Sequence, residues 1–116
     1  MDVLYVGGTP QDEARAERLE ILALQKLSVL EKPSGRAAIC VLDVSSGSLA
    51  DVSQALAQAI EREAPILLIF SLPHGVRFRD QRETFLNAGA ADVMSADGTS
   101  EEFLTRVRAL MVQRTS

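Results

Sequence analysis

Few residues in this chain have the type and position to do chemistry, and most of them sit at the ends of apolar runs. Asp43 closes the uncharged run Ala37-Ala38-Ile39-Cys40-Val41-Leu42, and the small residues Ser45-Ser46-Gly47-Ser48 follow it. Such a run reads as a strand buried on both faces. It would carry one carboxylate to the edge of a parallel sheet, where open α/β sheets hold their ligands. The same carboxylate can instead accept backbone N–H bonds from its own Ser45-Ser46-Gly47 loop, as Asx side chains do. Gly7-Gly8-Thr9 stands at a strand-to-helix turn that can cradle an anion. It has no G-x-G-x-x-G spacing and no P-loop lysine, so a tight turn is the plainer reading. His74, the only histidine, follows Ser71 in a loop. A Ser-His pair needs further partners to be catalytic, and an exposed loop histidine is expected. Arg77, Arg79 and Arg82 form a basic patch opposite Asp80 and Glu83. It reads as a solvated face or an interaction surface.

The elements that must position these residues follow from composition and pattern. A chain of 116 residues, 47% of them hydrophobic, is the size of one domain with a real core. Aromatics are 4% and tryptophan is absent, so the core must be aliphatic. A net charge of −4 argues against nucleic acid as a direct partner. Cys40 is the single cysteine, which excludes an intrachain disulfide or a cysteine metal cluster. It is expected in the core. No apolar run approaches the ~18 residues of a membrane span, and the N-terminus lacks the pattern of a signal peptide. A cytoplasmic protein without a membrane partner is the expectation. No cofactor or metal motif is present, and no enzymatic activity is expected.

Along the chain, Asp2 to Val6 is a β-type run. Thr9 and Pro10 suit a helix start, and Gln11 to Arg18 favours helix. Leu19 to Leu30 fits neither period cleanly. A strand near Leu19 to Leu24, followed by a helical turn or two to Glu31, is expected there; a single helix from Pro10 to about Leu30 is the alternative. Lys32-Pro33-Ser34-Gly35 is a turn. Leu49 to Glu63 is a helix capped by Ser48, with Leu49, Val52, Leu56 and Ile60 on one face. Ile66 to Phe70 is another unbroken apolar strand. A helix over Asp80 to Asn87 and a short strand over Ala91 to Met94 follow. The last helix is capped by Thr99 with Glu102 three residues on. Its stripe is Phe103, Leu104, Val107, Leu110 and Met111. Helices alternate with strands that lack in-out alternation, the pattern of a parallel sheet covered on both faces.

Here the sequence resembles the receiver domain of two-component response regulators. The resemblance spans essentially the whole chain and is firmest from Ala37 to Met111. Cys40-Val41-Leu42-Asp43-Val44 is similar to the strand bearing the family's phosphoacceptor aspartate. Pro65-Ile66-Leu67-Leu68-Ile69-Phe70-Ser71 is similar to the fourth strand with its terminal switch Ser/Thr. Asn87-Ala88-Gly89-Ala90-Ala91-Asp92-Val93, with the segment Ser100 to Leu110, is similar to the Gly-Ala-Asp turn, fifth strand and fifth helix. The resemblance implies a flavodoxin-like, doubly wound three-layer α/β domain around a central parallel five-stranded sheet. Residues 1–116 would form one such domain, with the first helix and second strand region shortened.

The departures bear on function. The family's acidic pair holds Mg²⁺ against the transferring phosphoryl group, and the matching positions are Gly7 and Gly8. The family's lysine falls on Ala96, and the aromatic switch residue on Val93. Asp43 and Ser71 alone remain of the chemical set. Phosphoryl transfer rests on positioning and charge stabilisation, so Asp43 reads as a phosphoacceptor equivalent that does not work. The expectation is a pseudo-receiver that acts through protein contacts or dimerisation. The resemblance puts this on the face of the fourth helix, fifth strand and fifth helix, with Arg77, Arg79, Arg82, Arg106 and Arg108. The expected setting is the N-terminal part of a longer bacterial regulator with a downstream effector domain, either a transcription activator of the AAA+ enhancer-binding type or a cyclic-di-GMP enzyme. Two alternatives stand beside this: a small-ligand sensor for a nucleotide or anion at the crevice of Gly7-Gly8, Asp43 and Ser71, and a receiver weakly phosphorylated on Asp43.

Overall fold

The apolar runs become strands of a single parallel sheet in the computed structural model, which describes all residues except 1, 10, 31, 33–36, 46, 63, 116 and the side chains of 113–115. In chain order the elements are β1 (Asp2–Gly7), α1 (Glu13–Leu24), β2 (Ser28–Leu30), β3 (Ala37–Val44), α2 (Leu49–Ile60), β4 (Ile66–Phe70), α3 (Phe78–Asn87), β5 (Asp92–Ser95) and α4 (Ser100–Thr115). The five strands lie in the order β2-β1-β3-β4-β5, and every pairing is parallel. This is the flavodoxin-like doubly wound order. Among the described residues no helix lies between β2 and β3, so the helices number four. The face matching the family's fourth helix, fifth strand and fifth helix is therefore α3–β5–α4 here.

The pleat sorts the side chains into two cores. Val3, Tyr5, Ile39, Val41, Leu67, Ile69 and Met94 pack with Leu22 of α1 and with Phe103, Val107 and Leu110 of α4. Leu4, Cys40, Leu42, Ile66, Leu68, Phe70 and Val93 pack on the other face with α2 and with Phe85 of α3. Because β3 and β4 are covered on both sides, their sequences run apolar without alternation. Helix α2 begins on a reciprocal capping box, in which Ser48 accepts from the Asp51 amide and the Asp51 carboxylate accepts from Ser48 N–H. Its buried residues are Val52, Leu56 and Ala59, while Ile60, the last of the expected stripe, is 40% exposed and lies against Gly89 at its tip.

The segment 19–24 corrects the sequence reading. It is not a strand but the second half of α1, and the second strand is Ser28–Leu30. The buried residues of α1 are Arg18 and Leu22, one turn apart. A charged residue thus holds an inward position of the helix, which hides the helical period from an apolar count. The helix also ends without the usual glycine. Lys26 takes a φ of +59° and donates its N–H to Ala23 O, while Leu27 N–H reaches Leu22 O at 3.1 Å, a Schellman closure. At the start, the capping residue is Asp12, whose carboxylate accepts from Ala14 N–H at 3.0 Å, not Thr9. Pro10, and Pro33 to Gly35 of the expected turn, lie outside the described residues.

Candidate functional site

Sheet register sets the site. Gly7 at the end of β1 pairs with Asp43 on β3, and Asp43 pairs with Ile69 on β4. Asp43 and Ser71 therefore lie at the carboxyl edge where the sequence put them. Asp43 is not exposed there. Its side chain has no accessible surface, and it and Arg18 are the buried charged residues among those described.

The burial is compensated by a complete set of donors. Oδ2 of Asp43 accepts from the Tyr5 hydroxyl at 2.6 Å and from Arg18 Nη1 at 3.1 Å. Oδ1 accepts from Ser45 N–H at 3.1 Å and from the Ser45 hydroxyl at 2.7 Å. The Ser45 amide bond is the loop contact expected of an Asx side chain. A carboxylate offers about four acceptor positions, and these donors fill them. Arg18 is held in turn: its Nη2 donates to the Ala96 carbonyl at 3.2 Å, and Nη1 also lies 3.4 Å from the Tyr5 oxygen. Burial and donation to Asp43 together push the Tyr5 pKa well above its ordinary value, with Arg18 opposing. Tyr5 is thus a neutral donor to a buried carboxylate.

Tyr5 and Arg18 were not among the residues that sequence reasoning singled out. The signal for Arg18 was present but weak. It stands four positions before Leu22, on the inward face of a helix whose glutamates are exposed. Between Val3 and Val6 of β1, Tyr5 is the one polar-tipped residue, and it faces the same side as Val3. Buried tyrosines usually find a partner for the hydroxyl.

Gly7 and Gly8 are constrained by more than lack of a side chain. Both have positive φ, +95° and +74°. A Cβ on Gly7 would stand 2.0 Å from the Asp43 carbonyl oxygen, and one on Gly8 would stand 2.6 Å from Cδ of Arg15. Arg15 lies across this turn, with Nε 3.3 Å from Gly7 O and its guanidinium 5.5 Å from the Tyr5 ring centre. The residues do not fit a divalent cation. Gly7 and Gly8 offer no carboxylates, Asp43 has no free acceptor position, and a guanidinium occupies the position beside it. Among the described residues no group of three or more His, Cys, Asp or Glu side chains is placed to bind a metal.

Around this knot lies a crevice of roughly 340 Å³, lined by Gly8, Thr9, Asp12, Arg18, Ser45 and Ser71 among others. Ser71 donates to the Ser45 carbonyl at 2.7 Å rather than to Asp43. Val93 is fully buried in the core. Ala96 presents its carbonyl to Arg18. His74 is exposed in the loop after β4. Of the five arginines expected on one surface, the structure brings two together. Nη1 of Arg106 donates to both carboxylate oxygens of Asp92 at 2.8 and 3.0 Å while its Nη2 pairs with Glu102, and Arg82 approaches Asp92 from α3 at 3.6 Å. Burial works against the Arg106 charge, but Asp92 and Glu102 outweigh it and hold its pKa up. Arg77 and Arg79 are exposed at the start of α3. Arg108 turns to the other side and reaches Gln25 at the end of α1.

No protein-family model and no curated protein matches this chain. Solved structures do. The receiver domain of Francisella response regulator 1452 superposes with a TM-score of 0.70 at 16% identity, covering 99% of this chain and 98% of that one. A putative response regulator from Chloroflexus aurantiacus gives 0.69 at 17% identity, covering 96% and 97%. NtrX from Brucella abortus gives 0.73 at 16% identity over 98% of this chain. The chain spans about a quarter of the NtrX chain, 27% of its length. The fold is that of response-regulator receiver domains. Among the described residues no helix is long and apolar enough to cross a membrane.

Proposed function

We infer that this chain is a regulatory domain of receiver fold that signals without phosphorylation, through contacts with other proteins or with its own copy, and that it is not an enzyme. One observation carries the reading: every acceptor position of Asp43 is filled from within, and Arg18 supplies the cation beside it. A phosphoryl group on Asp43 would have to displace Arg18, Tyr5 or Ser45 and would then face no divalent cation. The loss of charge stabilisation is the largest penalty such a transfer can meet. The contact surface in this reading is α3–β5–α4, with Arg77, Arg79, Arg82 and Arg106 on or beside it. The setting is a longer cytoplasmic regulator. This is supported by the match to a quarter of NtrX and by likeness to the signal receiver domain of a modulated diguanylate cyclase from Desulfovibrio desulfuricans, at a TM-score of 0.67.

The test is incubation with acetyl phosphate and Mg²⁺, read by intact-protein mass spectrometry. No adduct is expected, and Mg²⁺ alone leaves the melting temperature unchanged. A stable adduct that disappears in Asp43→Asn would overturn the reading and favour a weakly phosphorylated receiver. A nucleotide or phosphate that stabilises the domain, with the effect lost when the crevice is narrowed by Ser71→Leu, would instead favour a ligand sensor.

A further inference from the structure

Arg18 joins directly, by side-chain hydrogen bonds, two places that the sheet otherwise connects only through β4. One arm of its guanidinium reaches Asp43 at the end of β3 at 3.1 Å. The other reaches the Ala96 carbonyl, 78 positions along the chain, at 3.2 Å. Ala96 opens the turn between β5 and α4. Its amide donates to Phe70 O at 2.8 Å, and the turn continues through Gly98 N–H to Ser95 O at 3.0 Å. Helix α4 then starts with Phe103 N–H on Thr99 O and Glu102 N–H on the Thr99 hydroxyl. The residue before Arg18 holds the same region, since Glu17 accepts from the Ser100 hydroxyl at 2.6 Å. Thus one turn of α1 grips both the carbonyl that opens the loop and the first residue of α4.

We propose that Arg18 is a conformational strut: a permanent, planar cation that couples the carboxylate at the end of β3 to the turn that starts α4. The guanidinium suits this because its donors form a rigid fork. With one arm fixed on Asp43, the other is fixed in direction, and the Ala96 carbonyl is pinned with it. Loss of the carboxylate frees the arm on Ala96 and loosens the turn, although no described hydrogen bond or ion pair joins Asp43 itself to a residue from Ala96 to Ser100. Arg18 is therefore a positioning residue for the start of α4. The inference needs no part of the phosphorylation-independent reading, because it concerns only how the two ends of one guanidinium are connected.

Native-state hydrogen exchange of the whole chain tests it. In Asp43→Asn the amides of Gly98 and Phe103 are expected to exchange at least about tenfold faster than in the wild type, while the Gly89 amide, bonded to Leu86 O in the turn after α3, keeps its rate, because turn amides exchange by local opening and only the turn before α4 is loosened. Arg18→Lys is the second variant. A single ammonium keeps a positive charge beside Asp43 but lacks the fork. Its Gly98 and Phe103 amides are also expected to speed up with Gly89 unchanged. The strut is overturned if Gly98 and Phe103 keep their wild-type rates in Arg18→Lys, or if Gly89 accelerates by the same factor as they do. Should Asp43→Asn not fold, Arg18→Lys alone decides.

Discussion

Replacing Arg18 by methionine keeps the length and helix propensity of the side chain and removes the charge. The Asp43 side chain is wholly buried, so the substitution leaves its carboxylate among the Tyr5 and Ser45 donors without the Arg18 cation. Breaking a buried pair by removing one partner costs about 3–5 kcal/mol. A domain of this size has roughly 5–15 kcal/mol of stability in total, so the variant should lose about a fifth of it or more. At about 4 °C per kcal/mol for a chain of this length, the midpoint of thermal unfolding should fall by roughly 12–20 °C. The cause is the stranded charge, and a second substitution isolates it. Asp43→Asn removes that charge, so Arg18→Met with Asp43→Asn should be more stable than the sum of the two single effects by about 2 kcal/mol or more. Urea denaturation of the four proteins gives the cycle, urea being preferred because guanidinium could enter the vacated position. A loss below about 1 kcal/mol in Arg18→Met, or additivity within about 0.5 kcal/mol, would refute the claim that Arg18 neutralises a buried Asp43.

Tyr5→Phe removes the hydroxyl bonded to Oδ2 of Asp43 at 2.6 Å, and the lost bond to a charged group should cost about 1.5–3 kcal/mol in urea unfolding. Because burial, then donation to Asp43, raises the Tyr5 pKa, its contribution is full below the ordinary value of 10.0 and is lost as pH rises above it. Stability should therefore fall more steeply above pH 10.0 in the wild type than in Tyr5→Phe, and parallel curves would contradict the buried hydroxyl. Gly7→Ala, with its Cβ 2.0 Å from the Asp43 carbonyl oxygen and its φ at +95°, should lose about 2 kcal/mol or more to strain and crowding; a neutral effect would mean that the turn relaxes freely. Asp92→Asn weakens the partly exposed contact with Arg106 and Arg82, and a loss near 1 kcal/mol that shrinks in high salt is expected.

The framework was legible because β3 and β4 are covered on both faces. Such strands write themselves as unbroken apolar runs, and the turn after each carries the small residues that a sheet edge needs. Asp43 was legible as the one charge ending such a run. Its partners were not. Tyr5 and Arg18 come from β1 and α1, 38 and 25 positions away from Asp43, and one-dimensional spacing gives no sign that sheet order will place them together. Arg18 in addition spoiled the reading of its own helix. A buried arginine breaks the apolar stripe, and Lys26 in the left-handed region ends α1 without the glycine that usually marks such a stop. The same residue that closes the site therefore made the helix carrying it look like a strand.

The paired glycines and the buried arginine are physically linked. The turn after β1 passes so close to β3 that no Cβ fits at Gly7, and at Gly8 the space is shared by Arg15 and by Asp43 Oδ2, which would lie 3.1 Å from a Cβ. A carboxylate restored at Gly8 would add negative charge beside a carboxylate whose one described counter-charge is Arg18. It would draw the guanidinium away from Ala96 or repel Asp43, and like charges at that distance disfavour ionisation of one of them. Conversely, removing Arg18 alone gives no metal site, because the glycine turn supplies neither ligands nor room for them. Conversion to a cation-binding site thus requires the turn and the arginine to change together, and Gly8→Asp in the Arg18→Met background should gain no stabilisation by Mg²⁺ in a thermal-shift assay while the Gly7 turn keeps its close approach to Asp43. A Mg²⁺-dependent rise in melting temperature for that double variant, absent from Arg18→Met alone, would show that the backbone of the turn does not stand in the way.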